Sequence, residues 1–426
     1  MAHLARRIGI IALAIIIAVV SFAAIVIAGI ARSGEPSSTP AAGRLLDHGR
    51  QHDPPLPGRI IVAVLLGQSG TDAADALAPY EVLASSPRFS VYTVSASARP
   101  AAVDGGMAIA PDYTFADVDS GVAPTPDLLV VPAVNQPDGP EELRAREFIA
   151  DRYSHGARVL GICAGSRLLA ASGILDGRTA TSHWSRISAL QDSRPQVTWV
   201  RGERYVQDGR ITTTGGVTSG IPGTLQVIAD MAGAAEATRI GGQVAYPDWS
   251  LDSPTRMPAQ SFSARDAGVI LNTAFPWSRP TVTIALPEGV GEIDAAALFE
   301  VYTYSQAATT EAVSATGTVR TRHGVTIHTR RAATDDDGAT LIAGSFPGRA
   351  GNGGFDAAIE QLAEATSPEV ATSVGKMLEY PLDRVTLTNQ ANMQRWRAPA
   401  FLAAAVLLAA GLGAIPFAAR RLRRRT

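Results

Sequence analysis

The chain holds a single cysteine in 426 residues, and the residues around it are those whose types and order could do covalent chemistry. In Arg158-Val-Leu-Gly-Ile-Cys163-Ala-Gly-Ser166, an apolar run suited to a buried strand meets small residues that allow a sharp reversal. Leu168, Leu169, Ala170 and Ala171 follow as the inner face of a helix that Gly173 closes. Strand, tight turn and helix with a nucleophile at the turn make a nucleophile elbow, with cysteine where hydrolases often carry serine. A helix N-terminus beneath the sulfur would favour the thiolate. Backbone N–H groups after the nucleophile, beginning at Ala164, would supply half of an oxyanion hole. The alternative for Cys163 is a small buried core residue, as most free cysteines are.

The elbow needs a scaffold, and the chain before it supplies one. Arg59–Leu66, Phe89–Ser95 and Asp127–Val131 read as buried strands. They alternate with helices over Thr71–Ala84 and Pro140–Tyr153, which predicts a parallel sheet covered on both faces. The first helix carries Asp75, which reads as a surface or capping residue. It also carries Glu81, whose neighbours Leu77, Tyr80 and Val82 make partial burial as expected as exposure. Beyond the elbow, His183 stands beside Trp184, and most isolated histidines pack or cap without doing chemistry. Residues 59–250 form one domain and 251–279 a connector. Residues 280–380 look like a partial second copy of the first half-domain: Asp75-Ala-Leu-Ala-Pro-Tyr-Glu81-Val82 aligns without gaps on Asp294-Ala-Ala-Ala-Leu-Phe-Glu300-Val301. One residue out of step, Gly106-Met-Ala-Ile109 aligns on Gly324-Val-Thr-Ile327. The copy has no cysteine and no elbow, so Glu300 reads as structural or inherited.

Two uncharged apolar stretches, 8–31 and 398–419, are long enough to cross a bilayer as helices. Residues 32–58 form a Pro/Ser/Gly-rich linker, and 420–426 a basic tail. Arg6 and Arg7 precede the first stretch; Arg420, Arg421, Arg423, Arg424 and Arg425 follow the second. The positive-inside rule then puts both termini in the cytoplasm and the main domain outside, at the plasma membrane, against weak opposition from Arg32, Arg395 and Arg397. A cleavable signal peptide is the rival for the first stretch, but its apolar run is longer than a typical signal core. Net charge is −2, and the part between the stretches has no basic stripe, which argues against nucleic acid as a partner. The seven histidines show no zinc-site spacing, and no glycine cluster matches a phosphate loop, so neither metal nor cofactor is expected.

Gly161-Ile-Cys163-Ala-Gly165, Leu175-Asp-Gly177-Arg-x-Ala-Thr-x-His183-Trp184, Tyr205-Val-x-Asp208-Gly and Thr214-Gly-Gly-Val-Thr-Ser-Gly220 together resemble the ThiJ/PfpI superfamily, whose fold is like that of class I glutamine amidotransferases. The pattern looks most like the branch of isonitrile hydratases and of the amino-terminal domains of AraC-type regulators. The resemblance implies a flavodoxin-like sheet with Glu81 beside Cys163, His183 as acid or base near the same pocket, and oxyanion donors at Ala164 and Ala133. Three departures stand out. Ala164 replaces the histidine of peptidase-like members. Pro132-Ala133-Val134-Asn135 replaces paired glycines, so side chains crowd the second oxyanion donor. Pro222 stands where aspartate is common. Two functions follow: a cysteine-dependent hydrolase or hydratase acting on a small molecule, or a non-catalytic ligand-binding or sensory module. Relatives often associate as dimers, so the partner is either a second copy or, as an intrachain pseudo-dimer, the half-copy itself.

Overall fold

A computed structural model describes residues 2–33, 58–277, 279–332, 340–343, 353–387 and 398–422. The stretch read as a linker lies almost wholly outside them, as does most of the basic tail. Helix α1 (Ala2–Ser33) leads to the linker. Strand β1 (Ile60–Leu66) runs through the middle of the main sheet, which is why it is a continuous apolar run: Val62 to Leu66 are at most 1% exposed. Helix α2 (Ala73–Ala84) crosses to β2 (Phe89–Ser95). Strands β3 (Ala101–Val103) and β4 (Met107–Ile109) form a hairpin, and β5 (Tyr113–Thr114), α3 (Phe115–Asp119), β6 (Leu128–Val131), α4 (Leu143–Ser154), β7 (Arg158–Gly161) and α5 (Gly165–Ala171) follow. A short parallel pair, β8 (Thr179–Ala180) and β9 (Thr198–Trp199), brackets α6 (Ile187–Ser193). The hairpin β10 (Tyr205–Asp208) and β11 (Ile211–Thr214) then precedes α7 (Gly220–Ala232) and α8 (Ala234–Val244). The seven-stranded sheet has the order β10-β11-β7-β6-β1-β2-β5, and only β10–β11 is antiparallel. This is the α/β architecture with a mostly parallel sheet that the alternation of strands and helices predicts.

Residues read as a connector include α9 (Ala267–Ala274). After it come β12 (Thr281–Ala285), α10 (Glu292–Ser305), β13 (Thr309–Ser314), β14 (Thr318–Arg320), β15 (Thr326–His328), β16 (Arg330–Arg331), β17 (Thr340–Ala343), α11 (Gly353–Ala365) and α12 (Pro368–Leu378). The order β16-β13-β12-β17, parallel throughout, mirrors β5-β2-β1-β6. The two halves meet along α2 and α10, and their hairpins join in one sheet, β14-β15-β4-β3, with Ile109 opposite Ile327.

Their contacts are reciprocal. Glu81 Oε2 accepts the N–H of Ile293, 2.7 Å away in the first turn of α10, and Glu300 Oε1 accepts the N–H of Ala74, 3.0 Å away in the first turn of α2. Each carboxylate satisfies an orphan donor at the positive end of the other half's helix. α13 (Ala398–Leu422) packs along α1, with Gly413 against Ala14 and Ala18. Gly9–Ser33 and Ala398–Pro416 are long and apolar enough to cross a membrane. The end of α1 docks on α9, where the Ser33 hydroxyl donates to the Thr273 carbonyl at 2.7 Å.

Candidate functional site

Cys163 follows β7 with φ +52°, the left-handed conformation that a side chain adopts only when its surroundings enforce it. The enforcement is local. A Cβ at Gly165 would stand 2.1 Å from the Val131 carbonyl oxygen, so only glycine lets the turn lie against the end of β6. The Thr214 hydroxyl accepts the Cys163 N–H at 3.0 Å, and the Ser166 hydroxyl donates to the Cys163 carbonyl at 3.2 Å. The elbow read from the sequence is therefore a strained turn pinned by β6, β11 and α5.

The acid beside the thiol is Asp75, not Glu81. Asp75 is fully buried; its Oδ2 accepts the Ala133 N–H at 3.1 Å, its Oδ1 has no hydrogen-bond partner, and the carboxyl lies against the Cys163 thiol. Glu81 lies six residues on in the same helix, roughly 240° around its axis at about 100° per residue, so it faces α10. There it caps that helix and accepts from Arg322 Nη1 at 3.3 Å. Burial, then the charge of Glu292, pushes the Glu81 carboxyl up to about 7. The reading of Asp75 as a surface or capping residue is overturned by its complete burial.

The other expected residues fare differently. The Ala164 N–H does favour the Cys163 thiolate. That help is outweighed: burial first, then the charges of Asp75 and Asp72, push the thiol well above its ordinary value, so the sulfur rests as a neutral thiol. Burial likewise raises Asp75 well above the usual carboxylate range, with Asp72 next. The Ala133 N–H, expected as an oxyanion donor, is already given to Asp75. His183 is tied elsewhere. Its Nε2 donates to the Met377 carbonyl at 2.8 Å, and its Nδ1 accepts from the Ser185 hydroxyl at 2.8 Å. Burial lowers it to about 4, so it is a neutral strut and not an acid or base at neutral pH.

The roof of the site comes from the second half. Tyr304 of α10 stands near the thiol, its ring 6.1 Å from that of His183, and burial followed by the Cys163 charge raises its phenol well above the ordinary value. The end of α12 and the residue after it lie across the carboxyl-terminal edge of the sheet. The Leu378 carbonyl accepts from the Thr218 N–H at 3.1 Å and from its hydroxyl at 2.9 Å. Glu379, at φ +55°, accepts the Gly216 N–H and, at 2.7 Å, the Ser219 hydroxyl through Oε2, while its buried Oε1 has no partner. Burial pushes Glu379 up to about 7. With this cover in place, Cys163 is 1% exposed. A second cluster, Asp72, Asp104 and Glu300, adjoins the site.

Four contributors were not assigned from sequence: Asp75, Thr214, Tyr304 and Glu379. Asp75 had a usable signal, because a carboxylate among Ala73, Ala74, Ala76 and Leu77 has no polar face to occupy. Tyr304 and Glu379 had none, since they meet Cys163 only through tertiary packing.

An open, mostly parallel α/β sheet with a cysteine elbow at its carboxyl-terminal edge, faced by a buried carboxyl from the first crossover helix, defines the class. Within it, the chain belongs to the DJ-1/PfpI family, whose model matches residues 61–230. It is 31% identical over 191 residues to an isonitrile hydratase of Pseudomonas putida, covering 43% of this chain and 79% of that protein. It is 35% identical over 158 residues to the HTH-type transcriptional regulator CdhR of Pseudomonas aeruginosa, of whose length it spans only 44% (36% of this chain). A solved ThiJ/PfpI family protein from Pseudomonas syringae superposes with TM-score 0.40 at 26% identity, covering 53% of this chain and 89% of that one.

Proposed function

We propose that this protein is a membrane-anchored, extracytoplasmic member of the family that hydrates or hydrolyses a small, neutral carbon electrophile at a Cys163–Asp75 pair. The observation that carries the reading is the strained elbow of Cys163 set against a buried Asp75 carboxyl. A thiol and a carboxyl that are both shifted by burial towards their neutral forms suit an uncharged substrate. As sulfur bonds to the substrate carbon, Asp75 gives its proton to the substrate and takes the proton of the thiol, so no net charge forms in the buried site. Water then attacks the adduct and displaces the thiol, which completes hydration or hydrolysis. The resemblance to an isonitrile hydratase supports isonitriles as the first substrates to try, with a formamide as the product of adding water.

The reciprocal capping of α2 and α10, and the matching strand orders, support reading residues 280–380 as a duplicated half-domain that packs as a built-in partner. The paired apolar helices and flanking arginines support two spans with both termini cytoplasmic. A second reading, a ligand sensor, is favoured by one observation: the cover of Tyr304 and residues 377–379 seals the thiol. The test is turnover of small alkyl isonitriles by the full chain in detergent. The enzyme reading expects formamide production that falls by at least about 10² in Cys163→Ala and in Asp75→Asn. Thermal stabilisation by a ligand that persists in Cys163→Ala, with no product from wild type, would instead establish the sensor.

A further inference from the structure

We propose that Asp72, Asp104 and Glu300 bind a hard divalent cation, calcium by preference, at the seam between the two halves. One oxygen of each carboxylate lies within 4.8 Å of the others. Oxygens about 2.4 Å from one calcium ion stand at most about 4.8 Å apart, and the three carboxylates meet that limit. Glu300 is fully buried; its Oε1 is used by the Ala74 N–H, and its Oε2 has no hydrogen-bond partner. The Glu300 and Asp72 carboxyls interact directly, a contact that holds only with a proton or a cation between them. Asp72 and Asp104 are half-buried as residues, while Glu300 is fully buried.

The other half provides an internal control. At the offset that aligns Gly106 with Gly324, Asp104 falls on Arg322; at the offset that aligns Asp75 with Asp294, Asp72 falls on Gly291. On that side the carboxylates are matched by cations: Glu81 by Arg322 at 3.3 Å, and Glu292 by His323 at 2.8 Å. Arg322 also stands about where a side chain on Gly291 would project. On the Cys163 side the main electrostatic partners of Asp72, Asp104 and Glu300 include no arginine, lysine or histidine among the described residues. The structure thus keeps the carboxylates on both sides of the seam but carries a built-in cation on only one. Glu300 lies one turn before Tyr304 in α10, so an ion held there would fix the roof of the thiol site to α2.

The test uses the full chain in detergent micelles, stripped with EDTA and titrated with calcium chloride. Wild type is expected to bind one calcium ion by calorimetry and to gain roughly 5 °C in Tm at saturation. Asp104→Asn should weaken binding at least tenfold. Asp104→Arg, which copies Arg322, should abolish it and melt in EDTA no lower than calcium-loaded wild type. Terbium serves as a second probe that needs no change of ligand residue: its emission, excited through tyrosine, should drop in Tyr304→Phe and be displaced by calcium. No calcium binding by wild type, or undiminished binding by Asp104→Asn, would overturn the site. Terbium emission indifferent to Tyr304→Phe would contradict its position. None of these readouts depends on turnover, so the cation site and the Cys163 chemistry stand or fall separately.

Discussion

Replacing Glu379 by glutamine isolates the cost of the buried cover. The carboxyl is pushed up to about 7 from an ordinary 4.5 because it is buried with one oxygen unpartnered. A carboxyl with a raised folded-state pKa leaves stability intact below its unfolded value, and the cost of ionising it grows as pH rises from 4.5 towards 7. A gap of that size corresponds to roughly 3 kcal/mol at pH 8 and to almost nothing at pH 4.5. Glutamine keeps an acceptor for the Gly216 N–H and Ser219 hydroxyl bonds and removes the charge. His183 acts in the opposite direction: its pKa is lowered to about 4, so the stability of its neutral form is present above 6.5 and is lost as pH falls towards 4. In wild type the two effects partly cancel between pH 4.5 and 6.5. The assay is thermal unfolding of wild type and Glu379→Gln at pH 4.5 and pH 8. The difference in Tm between the proteins should favour the variant at pH 8 and shrink or reverse at pH 4.5. Parallel pH profiles, with the same difference at both values, would refute an ionising, unpaired Glu379 and with it this account of the cover.

Three further outcomes are expected. Cys163 in wild type should react with iodoacetamide at pH 7.5 far more slowly than in the unfolded chain, and Tyr304→Ala should speed it by about tenfold or more by opening the roof, measured by mass spectrometry. Glu81→Ala should leave that rate unchanged and cost about 1–2 kcal/mol, read by chemical denaturation, because it removes a cap and not a reactive group. Gly165→Ala should cost at least about 3 kcal/mol or prevent folding, seen as loss of soluble full-length protein, because its methyl would meet the Val131 carbonyl at 2.1 Å.

What the sequence revealed was what is decided locally. The elbow was legible because Val159, Leu160 and Ile162 are a buried run and Gly161 and Gly165 are small, and those same residues set the turn against β6. The correspondence of Glu81 with Glu300 was legible too, and in the structure these two residues cap each other's helices. The choice between Asp75 and Glu81 was not. Both lie on α2, and only the sheet on one side and α10 on the other determine which carboxyl meets the thiol. His183 misled for a similar reason, since its backbone partner is Met377, in the other half of the chain. The three carboxylates of the seam show no metal-ligand spacing in the sequence because they stand on three separate elements.

The most direct test of the central claim, that Cys163 and Asp75 act as one reactive pair, is rapid-quench intact-mass spectrometry of the full chain mixed with a small isonitrile. The account predicts one substrate-sized adduct that maps to Cys163, appears within a turnover, and forms far more slowly in Asp75→Asn. No adduct on Cys163 while wild type consumes the isonitrile, or an adduct that forms equally fast in Asp75→Asn, would contradict it.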